Sequence, residues 1–197
     1  TNWGLRKQNS VASLPDGIKI LRSNKIDNTE IAVGYALQGS LIGDFEITMD
    51  FRDFASTAVQ TDWRVPRVDL SASIHANATP EKSANAIGAS LRRNQNGDIK
   101  LLASQGDVGA DGKINWKAAE LATDLTGCRL RLVRQGVSMF YQFALPGSDS
   151  FQTFALLPVE TGPVRHVTMG LRAEDLEASG EAVLTNVIIR AKEIQSK

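Results

Sequence analysis

The residues best suited to chemistry in this sequence stand at alternate positions. Asp69, Ser71, Ser73 and His75 occupy one parity of the stretch 67–76, whereas Val68, Leu70, Ala72 and Ile74 occupy the other. In an extended strand successive side chains point to opposite faces, so the polar four share one side and the apolar four the other. A row of hydroxyls and carboxylates hydrogen-bonds a polyhydroxylated ligand, and a guanidinium such as Arg92 holds a carboxylate or orients a diol. The competing explanation is that an antiparallel sheet normally wets one face, which requires no ligand.

Other reactive residues are less well grouped. Glu46 and Asp50 share a face four residues apart, which is about 13 Å of rise at ~3.3 Å per residue and suits a solvated surface better than a catalytic pair. His75 and His166 are the only histidines, and neither has a second ligand at metal-binding spacing. Asp107, Asp111, Gly112 and Ile114 fall at the first, fifth, sixth and eighth positions of a calcium loop, but Ala118 replaces the bidentate acid and Gly109 stands at the third position. An Asp-Gly turn is therefore expected there, mobile over residues 106–113, with no cofactor assigned and a lone Ca2+ elsewhere left open. Cys128 is the single cysteine, so no intrachain disulfide forms, and its place at the start of an apolar strand predicts a buried structural thiol. Trp3, Trp63 and Trp116 fall in or near irregular segments, where a ring either stacks on a sugar or caps the core; Trp63 and Trp116 are the better platforms. The Asn77-Ala78-Thr79 sequon precedes Pro80 and carries little weight.

The elements that must position these residues are almost all strands. Residues 43–54 set Phe45, Ile47, Met49 and Phe51 against Glu46, Thr48, Asp50 and Arg52, the clearest alternation in the chain. Residues 128–143 give a hairpin in which Leu130 and Leu132 alternate with Arg129 and Arg131, Gln135-Gly136 turns, and Val137, Phe140, Tyr141 and Phe143 follow. Further strands are expected at 17–21, 31–37, 86–93, 99–104, 150–157, 164–173 and 182–191, about eleven in all, with Asn94 to Asp98 forming a tight turn. Only 105–126 departs from this pattern, and there Asn115 would cap a short helix through Trp116, Ala119 and Leu121. Phe45, Ile47, Met49, Phe51, Leu130, Leu132, Val187 and Ile189 form the expected core. Short strands, little helix and no long repeat predict an all-β fold, a two-sheet antiparallel sandwich, in one domain over 1–197 with 1–16 as an N-terminal extension.

The totals exclude some function classes. Lys and Arg number 22 and Asp and Glu 22, so no net field draws the chain to nucleic acid. No apolar run approaches the roughly 20 residues of a membrane-spanning helix, so no membrane insertion is expected. The start at Thr1 suits a processed protein or a piece of a longer one.

Taken together, residues 43–52, 129–136 leading to Phe140 and Tyr141, 167–173 and 184–190 resemble, in kind and order, the concanavalin A-like lectin and glucanase superfamily of jelly rolls, which includes laminin-G-like modules. The similarity spans about residues 17–192 and is nearest to bacterial secreted proteins. It implies a jelly-roll sandwich whose first and last matching strands lie side by side in a convex sheet, while 67–76 and 86–93 line the concave sheet where glycans bind. It also implies a secreted, periplasmic or cell-surface location. Glucanases of this superfamily place two acids about 5–5.5 Å apart on a concave strand, but the corresponding residues 86–93 contain no carboxylate. The reading that follows is a non-catalytic binding or accessory module recognising glycan or a protein surface, with Asp69, Ser71, His75, Arg92 and Trp116 as the ligand-binding residues. A purely structural interaction domain ranks second, and an atypical sugar-acting enzyme built on Asp69, His75 and Arg92 third.

Overall fold

The computed structural model describes residues 2–3, 11–22, 32–57, 66–75, 84–94, 96–108, 113–172 and 178–195. In chain order its strands are β1 (Asn2–Trp3), β2 (Val11–Leu14), β3 (Gly17–Arg22), β4 (Ala32–Ala36), β5 (Ser40–Ser56), β6 (Arg67–His75), β7 (Ala84–Arg93), β8 (Ile99–Val108), β9 (Ile114–Thr123), β10 (Cys128–Gln135), β11 (Ser138–Ala144), β12 (Gln152–Pro158), β13 (Val164–Arg172) and β14 (Gly180–Gln195). Every pairing between them is antiparallel. One sheet runs β12-β11-β10-β5-β14-β3-β2 and the other β1-β4-β13-β6-β7-β8-β9. A single pair, Leu41 with Val164, carries the hydrogen bonding from one to the other.

The alternation places the core as expected for seven of the eight residues proposed. Phe45, Ile47, Met49, Phe51, Leu130 and Leu132 are buried and Ile189 is partly buried against them. They meet Val68, Leu70, Ala72, Ile74, Ile87, Ala89 and Leu91 from the opposite sheet in one cluster. Two polar contacts cross the same interface: Tyr141 Oη donates to the Ser104 carbonyl at 3.2 Å, and Gln105 Nε2 to the Pro158 carbonyl at 2.8 Å. The architecture is thus the expected all-β, antiparallel jelly-roll sandwich, and β5 and β14 lie side by side over most of their length.

Several details differ from the sequence reading. The short helix expected after Asn115 is instead strand β9, paired with β8 at ten successive positions from Val108–Ile114 to Ile99–Thr123. Its alanines, lysine, glutamate and leucine favour a helix, but the edge of β8 offers the backbone a full ladder, and tertiary pairing overrides propensity. Val187 faces the inner side yet is 39% exposed, because β14 is an edge strand beyond its pairing with β3. The central hairpin turns on Gly136-Val137, one residue later than Gln135-Gly136, since Gln135 pairs with Ser138. Gly136 has φ 56 and Val137 does not share the positive sign, as a type II′ turn requires, so Val137 sits at the tip. Among the described residues there are fourteen strands against the eleven or so expected, the additions being β1, β2 and β9; the first two lie within residues 1–16.

Candidate functional site

Register decides which side chains meet on the outer face of β13-β6-β7-β8-β9. Directly opposed partners line up across the strands in rows, each about 4.8 Å from the next backbone. The first row is Arg172, Arg67, Arg92 and Lys100; the second is Gly170, Asp69, Ser90, Leu102 and Glu120. The third is Thr168, Ser71, Gly88, Ser104 and Ala118, and the fourth Arg165, Ser73, Ala86, Gly106 and Trp116. A cleft of about 710 Å3 lies over these rows. Its depth comes from the small residues of the third row: a Cβ at Gly88 would stand 3.2 Å from Ser104 Oγ and 3.6 Å from Asp69 Oδ1. Gly34 and Gly170 serve the same sheet differently, since a Cβ on Gly170 would overlap the Val33 carbonyl of the neighbouring strand.

The polar side chains hold one another in place. Ser71 Oγ and Thr168 Oγ1 share a hydrogen bond of 2.8 Å across the floor. Asp69, nearly buried, has Arg67 Nε at 4.0 Å. Glu120 forms an ion pair with Arg92 and accepts from Lys100 Nζ at 2.9 Å. The Lys100 hydrogen bond and the charges of Arg92 and Lys100 hold the Glu120 carboxyl below the ordinary glutamate range against the opposing effect of burial. Arg165 Nε is buried and has no hydrogen-bond partner among the described residues. Next to it His166, exposed at φ 51, forms the bulge that shifts the β13–β6 register between Arg165 and Thr168. Trp116 is 61% exposed, and its ring covers Gly106: a Cβ there would lie 3.0 Å from Trp116 Cζ3 and 3.1 Å from Cη2.

Of the residues proposed from sequence, Asp69, Ser71, Arg92 and Trp116 therefore line one cleft. His75 continues the same parity of β6 opposite Ala84, and its side chain lies outside the described residues. Trp63, the sequon at 77–79 and residues 109–112 of the glycine-rich loop also lie outside them. Arg67, Arg165, Arg172 and Glu120 line the cleft as well without having stood out in the sequence reading, and so does His166, weighed there only as a metal ligand. For the bulge pair a signal existed: Arg165-His166 puts two polar residues between inward Val164 and Val167, a break of alternation that marks a bulge. Glu120 was hidden by the helical reading of its strand.

Among the described residues, the cleft's acid groups do not form a close carboxylate pair. The outer side of β7 presents Ala86, Gly88, Ser90 and Arg92, without a carboxylate. Asp69 and Glu120 share a row but sit three strands apart, about 14 Å between backbones, and each faces a cation. Glu46 and Asp50 lie on the other sheet, bound to arginines: Arg190 Nη1 donates to Glu46 at 2.6 Å and Arg129 Nε to Asp50 at 2.9 Å. Among the described residues no three of His, Cys, Asp and Glu gather as a metal-binding group. Asp107 accepts from Lys117 Nζ at 2.9 Å and Gln105 Nε2 at 3.2 Å, and the hydrogen bond from Lys117 holds its carboxyl below the usual range. Cys128 is buried, and desolvation with nearby Asp50 pushes its thiol up to about 12.

The fold is shared with proteins of low sequence identity. A functionally unknown protein from Saccharomyces cerevisiae is 12% identical, with a TM-score of 0.62 over 98% of this chain and 96% of that one. The alginate lyase from Klebsiella pneumoniae is 11% identical, with a TM-score of 0.56 over 89% of this chain and 81% of its own. The exoplasmic/lumenal domain of VIP36, in its Ca2+/Man3GlcNAc-bound form, is 11% identical, with a TM-score of 0.50 over 96% and 86%. No curated protein matches the chain. Residues 3–197 match the family described as "Protein of unknown function (DUF1583) C domain", and the chain belongs to that family.

Proposed function

We propose that the cleft over β13-β6-β7-β8-β9 binds a carbohydrate chain and that residues 1–197 act as one non-catalytic recognition domain of an extracytoplasmic protein. The observation that carries this reading is the pairing of an exposed indole, Trp116, with a shallow floor of hydroxyls and small residues flanked by charged hydrogen-bonding groups. An indole face stacks on the apolar side of a sugar ring, while Ser71, Ser73, Ser90 and Asp69 are spaced to exchange hydrogen bonds with its hydroxyls. The fold supports it by analogy, since its neighbours include an alginate lyase and a glycan-bound lumenal domain. The separation and pairing of Asp69 and Glu120 favour binding over hydrolysis.

A glycan array followed by titration tests the reading. Binding is expected, weakened by Trp116→Ala and Arg92→Ala, with no glycoside turnover. Binding undiminished in both variants would remove the cleft as the site, and turnover abolished by Asp69→Asn would make the protein an enzyme. A second reading rests on β9 itself. This edge strand leaves Ile114 exposed beside Trp116 on one face and Leu121 exposed on the other, an edge that suits a protein partner. Absence of binding to any glycan would favour that alternative.

A further inference from the structure

Gly106 stands in the interior of β8, where a glycine weakens a strand because it brings no side chain to pack and loses the most freedom on folding. Its φ is not positive, so the backbone conformation does not call for glycine either. The space above it does. A Cβ there would lie 2.8 Å from Ile114 Cγ2, 3.0 Å from Trp116 Cζ3 and 3.1 Å from Trp116 Cη2, all of them side-chain atoms of β9. The benzo edge of the indole therefore reaches across from β9 onto β8 and fills the place that any other residue at 106 would take. Glycine in a strand marks such a close approach, and an alanine would push the ring off this seat while leaving the backbone untouched.

From that seat a path of small residues crosses the sheet. Gly106 and Ala86 separate Trp116 from Ser73 in one row, and Ser104 and Gly88 separate Ala118 from Ser71 in the next. Ser71 and Ser73 on β6 are two strands from Gly106 and Thr168 on β13 is three, about 10 and 14 Å at the ~4.8 Å spacing of strands. A pyranose ring is about as wide as one such spacing, so of the hydroxyls in these two rows a ring seated on the indole reaches Ser104 alone. Resting on the glycan reading above, we infer that the cleft takes a linear saccharide of at least three rings, one on Trp116 and the next crossing β7 to the hydroxyls of β6, and that Gly106 is the positioning residue that admits the indole to the cleft. Ser71 Oγ and Thr168 Oγ1 share one hydrogen bond and keep capacity for a ligand, since a hydroxyl has one donor and two acceptor positions. A single sugar engages either the ring or these hydroxyls and gains from one end of the cleft only.

The test titrates the full chain with cello-, laminari- and manno-oligosaccharides and with alginate oligomers, each from a single ring to a hexasaccharide. In the series that binds, affinity is expected to rise to about three or four rings and then level, with single rings and disaccharides at least about tenfold weaker than the hexasaccharide. Gly106→Ala should lower hexasaccharide affinity roughly tenfold and cost nothing further in a Trp116→Ala background, because it acts through the indole. Thermal melting separates loss of binding from loss of fold. Should Gly106→Ala not fold, Ala86→Leu, which fills the crossing on the outer face, is expected to bring the hexasaccharide down to the affinity of a single ring. Equal affinity for one ring and six, or a hexasaccharide indifferent to Ala86→Leu, would overturn the inference and leave the glycan reading standing. So would a Gly106→Ala loss that persists in full without the indole, which would make the glycine a purely structural one. No binding to any saccharide would remove both readings.

Discussion

The two outer faces of the sandwich are built from the same kind of sequence and arrange their charges differently. On the β10-β5-β14 side Glu46 and Asp50 meet bases: Arg129 stands opposite Asp50, and Arg190 opposite Glu46, with Arg131 at 3.6 Å from the same Glu46. Arg129 also reaches the Ser148 carbonyl at 2.8 Å and Asp149, while Arg131 lies over the Phe151 ring at 3.7 Å. On the β13-β6-β7-β8 side the opposed residues are Arg172, Arg67, Arg92 and Lys100. One face pairs acids with bases across its strands; the other lines cations up in a row. A polar face whose groups satisfy one another needs no ligand.

The comparison breaks most completely when the layer both faces rest on is removed. Phe51→Ala empties a fully packed position and should cost about 3–5 kcal/mol in chemical denaturation, taking binding at the cleft with it. A loss below about 1 kcal/mol would show that β5 does not anchor the core as described.

Deleting one arginine from each face should then give different results. Arg129→Gln removes a part-buried guanidinium from Asp50, Asp149 and Ser148, and about 1–2 kcal/mol of stability should go with it. Arg165→Gln should leave the unliganded protein within about 0.5 kcal/mol of the original, because Nε has no described partner to lose. Equal costs at the two sites would erase the distinction between the faces.

Acid sharpens the contrast through Glu120. Its carboxyl titrates lower in the folded chain than the ~4.3 of a free glutamate. Its contribution to stability is therefore full above that value and fades as pH falls through the folded one. Protonation also releases Arg92 and Lys100 from their shared acid. Glu120→Gln should remove that fading, and chemical denaturation at steps on the order of half a unit between pH 6 and 3 would show it.

The smallest effect concerns Cys128, which lies beneath both faces. With its thiol at about 12 and its side chain buried, alkylation near pH 8 should be negligible until denaturant is added. Labelling of the native protein would mean that the start of β10 opens.

Much of this molecule was legible in its residues one strand at a time. Alternation fixed which side of β5, β6 and β10 faces the core, because side-chain direction in a strand depends only on parity. The same rule put Asp69 and Ser71 on the outer face, where they are found. It could not show that Arg67 stands beside Arg172 and Arg92, residues 105 and 25 positions away in a chain whose parity is local. Nor could it recover β9: residues 114–123 have a composition that also suits a helix, and only the free edge of β8 made them a strand carrying Trp116 and Glu120 into the cleft. The sequence by itself determined the class of fold, the inward apolar set and the buried thiol, each a matter of local periodicity and hydrophobicity. Which charges face one another depended on tertiary structure, since register is set by strand pairing over long separations.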